Sequence, residues 1–312
     1  MRQKIILDCD PGRDDALAIA LALASPDEIE LLGITAVAGN VPLELTELNA
    51  RIICELSGYP DTPVYAGEAA SLRGEKTTAE QVHGQSGLAG IEIFEPSNPV
   101  QDQHAVDYII ETLKAAPDDD ITLVPTGPLT NIARVIERAP EVLPKIKQIV
   151  LMGGGRSECG NITPLAEFNI YADPHAAQIV FECGRPITVV SLDLTNQVLA
   201  NDDYLRRLEA LGTPIAKALA HLLSDELVFN TDRFGKGFQP AHDPCTLAWL
   251  LWPEIISTKH VNAVIDTREG LTYGATVVDF WEKTDRAPNV QWAYDIDVEA
   301  FLERFLTCIE RL

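Results

Sequence analysis

Apolar residues recur along this chain in two alternating formats. Ile5-Ile6-Leu7 is a short run of the kind a buried strand leaves, and Ala16 to Ala24 interleaves alanine with leucine and isoleucine, without a charge, over the length of a buried helix. The alternation continues. Strands are predicted at Ile29–Ala38, Val64–Ala66, Ile121–Pro125, Ile146–Met152 and Ile187–Leu192. Helices are predicted at Pro42–Leu56, with Asn49, Arg51 and Glu55 among its polar residues, and at His104–Ala115, Leu129–Arg138, Pro174–Cys183, Asp202–Leu223 and Cys245–Trp252. Strands at Val261–Asp266, Gly274–Asp279 and Val290–Ile296 then precede a closing helix, Val298–Leu312. Gly67 to about Gln103 shows little periodicity, and a loop of that length inside a compact domain is functional or mobile. No repeat, low-complexity segment or linker interrupts the pattern. It predicts one α/β domain over residues 1–312, with an open, mostly parallel central sheet and helices on both faces.

The polar residues that break the pattern gather where the predicted strands end: Asp10, Asn40, Thr126, Met152 with Gly153-Gly154-Gly155, and Asp193. In open α/β sheets ligands bind outside those carboxyl ends. The densest group is Asp8, Asp10, Asp14 and Asp15, four aspartates within eight residues around a Pro11-Gly12 turn. Pro11 biases Asp10 toward an extended backbone, so Asp10 is expected as the last strand residue. Asp14 and Asp15 fall at a helix start, where the macrodipole favours negative charge. Neighbours on a helix diverge by about 100°, so the two are expected to meet different partners. For Asp8, or any one aspartate alone, a helix cap or a solvated acid suffices. Four carboxylates packed together raise one another's pKa unless a cation compensates, which points to a hard cation bound through oxygen. His242-Asp243 opens a further helix, a pose from which an acid can reach such a cation.

Composition narrows the partners. A formal charge of −23 over 312 residues argues against nucleic acid and anionic membranes. With 46% hydrophobic and 23% charged residues the chain has the make-up of an ordinary globular protein. The six cysteines show neither a CxxC pair nor zinc spacing and are expected as reduced core thiols in a cytoplasmic protein. The amino terminus has no signal-peptide pattern, and no apolar run suits a bilayer. The histidines at 104, 175, 221 and 260 are expected to be structural or solvated, in helices or at their edges.

DCDPGRDDA, residues 8–16, resembles the DxDPGxDDA signature of the nucleoside hydrolases, the inosine–uridine type in particular. ITAVAGN (34–40), VHGQSGL (82–88), LVPTGPLTNIA (123–133), IVLMGGG (149–155), AEFNIYADPHAA (166–177), LDLTNQ (192–197), AHDPC (241–245) and GATVVDF (274–280) look like segments of the same family, in its order. The resemblance implies that family's fold and the Ca²⁺-dependent hydrolysis of ribonucleosides of the inosine, uridine and cytidine class to ribose and free base. It implies Asp10, Asp15, Asp243 and the Thr126 carbonyl as calcium ligands, with Asp10 as general base for a calcium-bound water. Asp14, Asn40, Asn161, Glu167 and Asn169 resemble the ribose-binding set, with Met152 as a packing contact and Asp243 also at the substrate. Asn161 or Asn169 taken alone equally suits a turn. His242 is the candidate acid for the leaving base, or else orients the base or supports Asp243. His83 is expected to close over the nucleoside, and Phe168 either stacks on it or is a buried aromatic. Asn230 is a candidate contact to the base, whereas Phe234 lacks the hydroxyl relatives often carry nearby. The family also implies a homodimer or homotetramer.

Two other readings bear on the same residues. An Asp-x-Asp pair after a strand suits a haloacid-dehalogenase-type phosphatase, but the acidic surroundings and the lack of a basic phosphate cradle count against it. A nucleoside-binding protein that has lost turnover would keep the ribose pocket; the complete Asp10, Asp15, Asp243 and His242 set argues against that.

Overall fold

Strands rich in Ile, Val and Leu build the centre of the molecule, a computed structural model in which residues 2–224 and 239–312 are described. The strands are β1 (Gln3–Cys9), β2 (Ile29–Ala36), β3 (Val64–Ala66), β4 (Ile121–Pro125), β5 (Ile146–Met152), β6 (Ile187–Val190), β7 (Leu199–Ala200), β8 (Gln239–Pro240), β9 (Ile256–Ile265), β10 (Thr276–Asp279) and β11 (Val290–Ile296). Nine of them form one sheet in the order β10-β9-β11-β6-β5-β4-β1-β2-β3. From β3 across to β11 every pairing is parallel; β9 runs antiparallel to both β11 and β10. β7 and β8 make a separate two-stranded ribbon.

Every residue of β4 and β6 is buried, as covering both faces of a parallel sheet demands. Ile5, Leu7 and Cys9 of β1 pack on one face, against the helices Arg13–Leu23, Leu43–Leu56, Pro214–Ser224, Pro244–Leu251 and Val298–Ile309. Ile6 points to the other face, covered by the helices Ala105–Ala115, Thr130–Arg138 and Pro174–Phe181. The helix Arg13–Leu23 is buried almost all round, and its small alanines suit close approach from several neighbours.

Several expectations need correction. The single helix expected over Asp202–Leu223 is two, Asp202–Ala210 and Pro214–Ser224. Gly212, at φ +79°, takes the left-handed conformation beyond the first, and Pro214 starts the second. β9 begins at Ile256, ahead of the expected Val261, because Ser257 to His260 pair with β11 although their side chains are polar. His260 is therefore a strand residue. Cys159 is exposed, not a core thiol.

The segment from Gly67 to Gln103 is fastened down, with one helical turn at Glu80–His83. Asn49 and Arg51, read as polar-face residues, are buried anchors for it. Asn49 Nδ2 donates to Pro11 O (2.9 Å) and Ser86 O (2.8 Å), and Arg51 pairs with Glu47 (2.7 Å) and Glu95 (2.9 Å). Gly87, at φ +83°, sits where a Cβ would press on Asn49 Nδ2 at 2.7 Å.

Asp8 is neither a cap nor solvated. It shares the sheet face of Ile6, is fully buried, and accepts hydrogen bonds at Oδ1 from Thr35 Oγ1 (2.6 Å) and Asn131 Nδ2 (2.8 Å). Asn131 also donates to Ala36 O and accepts from Glu68 N, so this cluster ties β1, β2 and the start of the long loop together. Burial pushes the Asp8 carboxyl up to about 7. Asp8→Ala strands two buried donors and is expected to cost about 2–4 kcal/mol of stability, read as a lower midpoint in a thermal melt. An unchanged midpoint would show that the cluster holds nothing together.

Candidate active site

Chain order and strand order diverge at β1. The chain leaves β1 for β2 and β3 on one side, then returns to place β4 on the other, which opens a crevice at the carboxyl ends of β1 and β4. Asp10 follows β1 and Thr126 follows β4. Asn40 arrives after β2, and the Gly153-Gly154-Gly155 run follows β5.

β1 ends at Cys9, one residue before expectation, and Asp10 stands just beyond it, fully buried. Its Oδ2 accepts the Asn40 backbone N–H at 2.7 Å, while its Oδ1 is buried with no hydrogen-bond partner among the described residues. Gly39 and Gly127 flank the carboxylate, and a Cβ on either would collide with it. Asp15 is held at both oxygens: Oδ1 accepts from Thr126 Oγ1 (2.8 Å), and Oδ2 from Gly12 N (3.0 Å) and Asn40 Nδ2 (3.2 Å).

Asp14 and Asp15 both reach toward a third acid. One carboxylate oxygen from each lies within 4.8 Å of the other and of Asp243, at the start of the helix Pro244–Leu251. Burial raises Asp10, Asp14, Asp15 and Asp243 above the ordinary carboxylate range, and the charges of neighbouring carboxylates add to it for Asp10, Asp14 and Asp243. An oxygen-only donor set with one buried, unpartnered carboxylate oxygen fits a hard divalent cation such as Ca²⁺ and does not suit Zn²⁺. The Thr126 carbonyl accepts Asn169 Nδ2 at 2.7 Å and keeps a second lone pair.

Above this floor lies a cavity lined by Asp14, Asn40, His83, Thr126, Met152, Asn161, Glu167, Phe168, Asn169, His242 and Asp243. The described residues expected at the substrate thus line one cavity, and Asp10 and Asp15 lie under that lining, joined to it through Asn40 and Thr126. The carboxylates whose oxygens converge within 4.8 Å are Asp14, Asp15 and Asp243, with Asp14 in the group where Asp10 was expected. Asn230 and Phe234 fall outside the described residues. Asn169 Nδ2 also reaches Met152 O at 3.2 Å. Glu167 caps the short helix Phe168–Ala172, accepting from Asn169 N (2.9 Å), Ile170 N (3.2 Å) and Gly154 N (3.0 Å). Asn161 Oδ1 accepts from Phe168 N at 2.8 Å, which leaves its amide donors to face the cavity. Phe168 is buried and also lines the cavity.

The two histidines are held differently. His83 Nδ1 accepts the Arg13 backbone N–H at 3.2 Å, so the ring is neutral with its proton on Nε2. Burial, then the charges of Arg13 and His242, hold its pKa down at about 3. His83 is a fixed donor and no acid. His242 Nδ1 lies 2.7 Å from Thr195 Oγ1, a hydroxyl that can accept as well as donate. The Thr195 hydroxyl thus fixes the Nδ1 edge of His242 without dictating its tautomer, whereas the Arg13 N–H dictates that of His83.

Arg13, Val82, Ile162, Asn196, Leu222, Leu223 and Pro240 also line the cavity and were not foreseen. Leu222 and Leu223 could not be singled out because helical periodicity does not separate a core face from a pocket wall. A single cation among the aspartates of the turn and first helical residues was the available signal for Arg13. Asp193, singled out at a strand end, serves the structure instead. Its Oδ1 accepts from Ser157 N (2.7 Å) and Glu158 N (2.8 Å), its Oδ2 from Trp292 Nε1 (2.9 Å), fixing the loop that leads to Asn161.

The site gathers buried carboxylates, side-chain amides and two histidines around one cavity at the carboxyl ends of the central strands. The sequence profile described as inosine-uridine preferring nucleoside hydrolase matches residues 5–303. The chain is 41% identical over 309 residues to the pyrimidine-specific ribonucleoside hydrolase RihB of Escherichia coli, covering 99% of this chain and 97% of that one. It is 46% identical over 309 residues to an uncharacterized protein of Schizosaccharomyces pombe, covering 99% of each. The structure of a purine-preferring ribonucleoside hydrolase from Gardnerella vaginalis superposes with a TM-score of 0.90 at 36% identity, over 99% of this chain and 98% of that one. The chain belongs to the inosine–uridine-preferring nucleoside hydrolase family and is an N-ribohydrolase. No described helix is long and apolar enough to cross a membrane.

Proposed function

We propose that this enzyme cleaves the N-glycosidic bond of ribonucleosides of the inosine, uridine and cytidine class in a Ca²⁺-dependent reaction that releases ribose and free base. The observation that carries the reading is Asp10: a buried carboxylate at the crevice, one oxygen held by Asn40 and the other without a donor among the described residues. Asp10, Asp15, Asp243 and the Thr126 carbonyl would hold the cation, whose positive charge anchors sugar hydroxyls and acidifies water. Asp10 Oδ1 takes the proton of the attacking water. Asp14, Asn161, Glu167 and Asn169 fix the ribose, with Met152 and Phe168 packing on it. As the C–N bond breaks, positive charge develops on the sugar, and the surrounding carboxylates stabilise it. His242 protonates the departing base, and His83 offers Nε2–H to an acceptor on the substrate.

The pyrimidine-specific relative and the purine-preferring neighbour differ in base, so base preference is a property to measure. A nucleoside panel followed by base release tests the proposal. Release from inosine, uridine or cytidine supports it; calorimetric binding without release would favour a catalytically impaired binder. We propose further that the enzyme is cytoplasmic and forms a homodimer or homotetramer, and sedimentation velocity checks the assembly.

His242→Ala is expected to lower kcat on natural nucleosides by about 10²-fold or more while leaving KM within a few-fold, measured by steady-state base release. An undiminished kcat would remove His242 from the acid role.

A further inference from the structure

His242 lies on the short connection between β8 and the helix Pro244–Leu251, and that connection is clipped to the segment following β6. β7 pairs with β8, Leu199 opposite Pro240 and Ala200 opposite Gln239, and Ala241 N donates to Val198 O at 3.0 Å. This register sets His242 beside Thr195, the fully buried last residue of the helical turn Leu192–Thr195. The Thr195 backbone is itself fixed: its N–H donates to Ser191 O (3.0 Å) and its carbonyl accepts from Val198 N (3.1 Å). Thr195 Oγ1 then lies 2.7 Å from His242 Nδ1.

We propose that Thr195 is a positioning residue for the departure of the base. This inference rests on the hydrolytic reading above. The hydroxyl accepts from His242 Nδ1–H, which turns the opposite edge of the ring, with Nε2, away from Thr195 and toward the cavity that His242 lines. When the C–N bond breaks, its electron pair goes to the base nitrogen and the Nε2 proton passes to the base. The Nδ1–H···Oγ1 bond persists through that transfer, so the ring need not move. A carboxylate would orient an imidazole equally well, but it would add another negative charge beside Asp10, Asp14, Asp15 and Asp243. A neutral hydroxyl orients without that cost. The contrast with His83 is built into the backbone: there an N–H donates to Nδ1, and the ring cannot take a second proton.

The test compares wild type, Thr195→Val and Thr195→Ser on uridine, inosine and 4-nitrophenyl β-D-riboside, whose nitrophenolate leaves without needing a proton. Thr195→Val is expected to lower kcat on the nucleosides by about tenfold to a hundredfold, within the range of acid–base contributions, with KM little changed. Its turnover of the nitrophenyl riboside should match wild type, and Thr195→Ser should restore nucleoside turnover. The nitrophenyl activity doubles as a control for folding; if the valine variant does not fold, Thr195→Ala serves the same comparison. Equal losses on both kinds of substrate would mark Thr195 as merely structural and overturn the inference, as would an undiminished kcat on nucleosides. Wild-type protein that cleaves none of the three overturns the hydrolytic reading itself.

Discussion

Asp10→Asn lowers kcat on inosine or uridine by about 10²–10⁴-fold, the range expected for loss of a general base, while the protein stays folded. The amide keeps the size of the side chain and an oxygen that can still accept the Asn40 N–H. It loses the charge and the basic oxygen that Oδ1 presents to the site. The close fit of Gly39 and Gly127 around this side chain leaves little room for another group to take over. A circular-dichroism spectrum and melt matching wild type, with base release nearly gone, is the expected result. Activity within about tenfold of wild type would remove Asp10 as the base.

The second large effect is on stability and activity together. Stripped of divalent cations by a chelator, the enzyme should lose base release and recover it when Ca²⁺ is returned. Its melting temperature should also depend on pH in a particular direction. Asp8 and Asp14 are raised from 3.8 to about 7, and Asp10, Asp15 and Asp243 are raised as well. Between about pH 4 and pH 7 the folded, metal-free protein therefore holds protons that the unfolded chain has released, and stability falls as pH rises through that window. A cation that binds only the folded carboxylates opposes the fall; at a hundredfold excess over Kd it adds about 2.7 kcal/mol. The gain in melting temperature on adding Ca²⁺ should therefore grow from pH 5 to pH 8. A gain that is constant or shrinks with pH would mean that the cation does not bind through these acids.

The sheet was legible because its strands are short apolar runs separated by helical stretches, and nothing in the tertiary structure overrides that pattern. Boundaries were less so. The exposed residues Ser257 and His260 belong to β9 only because β11 lies alongside, which no local pattern announces. The acid cluster was readable because Pro11 and Gly12 fix where the strand stops and the helix starts. Asp8 was misread since the same alternation that turns Ile5 and Leu7 to one face turns Asp8 to the other, where Thr35 and Asn131 wait. Those partners are remote in sequence. The Thr195–His242 contact was invisible for the same reason: it depends on the two-residue ribbon of β7 and β8, too short to leave a periodic trace. Among the cavity residues, Asn40, Thr126 and Met152 stand out at strand ends and Asp14 and His242-Asp243 at helix starts, whereas His83, Asn161, Glu167, Phe168 and Asn169 are marked only by the family resemblance.

The central claim is that water, activated at Asp10, cleaves a ribonucleoside at its anomeric carbon. Its most direct test is to incubate the Ca²⁺-loaded enzyme with inosine, uridine or cytidine in phosphate-free buffer and measure free base and reducing sugar in the same samples. Equal molar yields of base and ribose, absent with chelator and from Asp10→Asn, are the predicted result. Intact nucleoside after prolonged incubation, or full yields from Asp10→Asn, would contradict it.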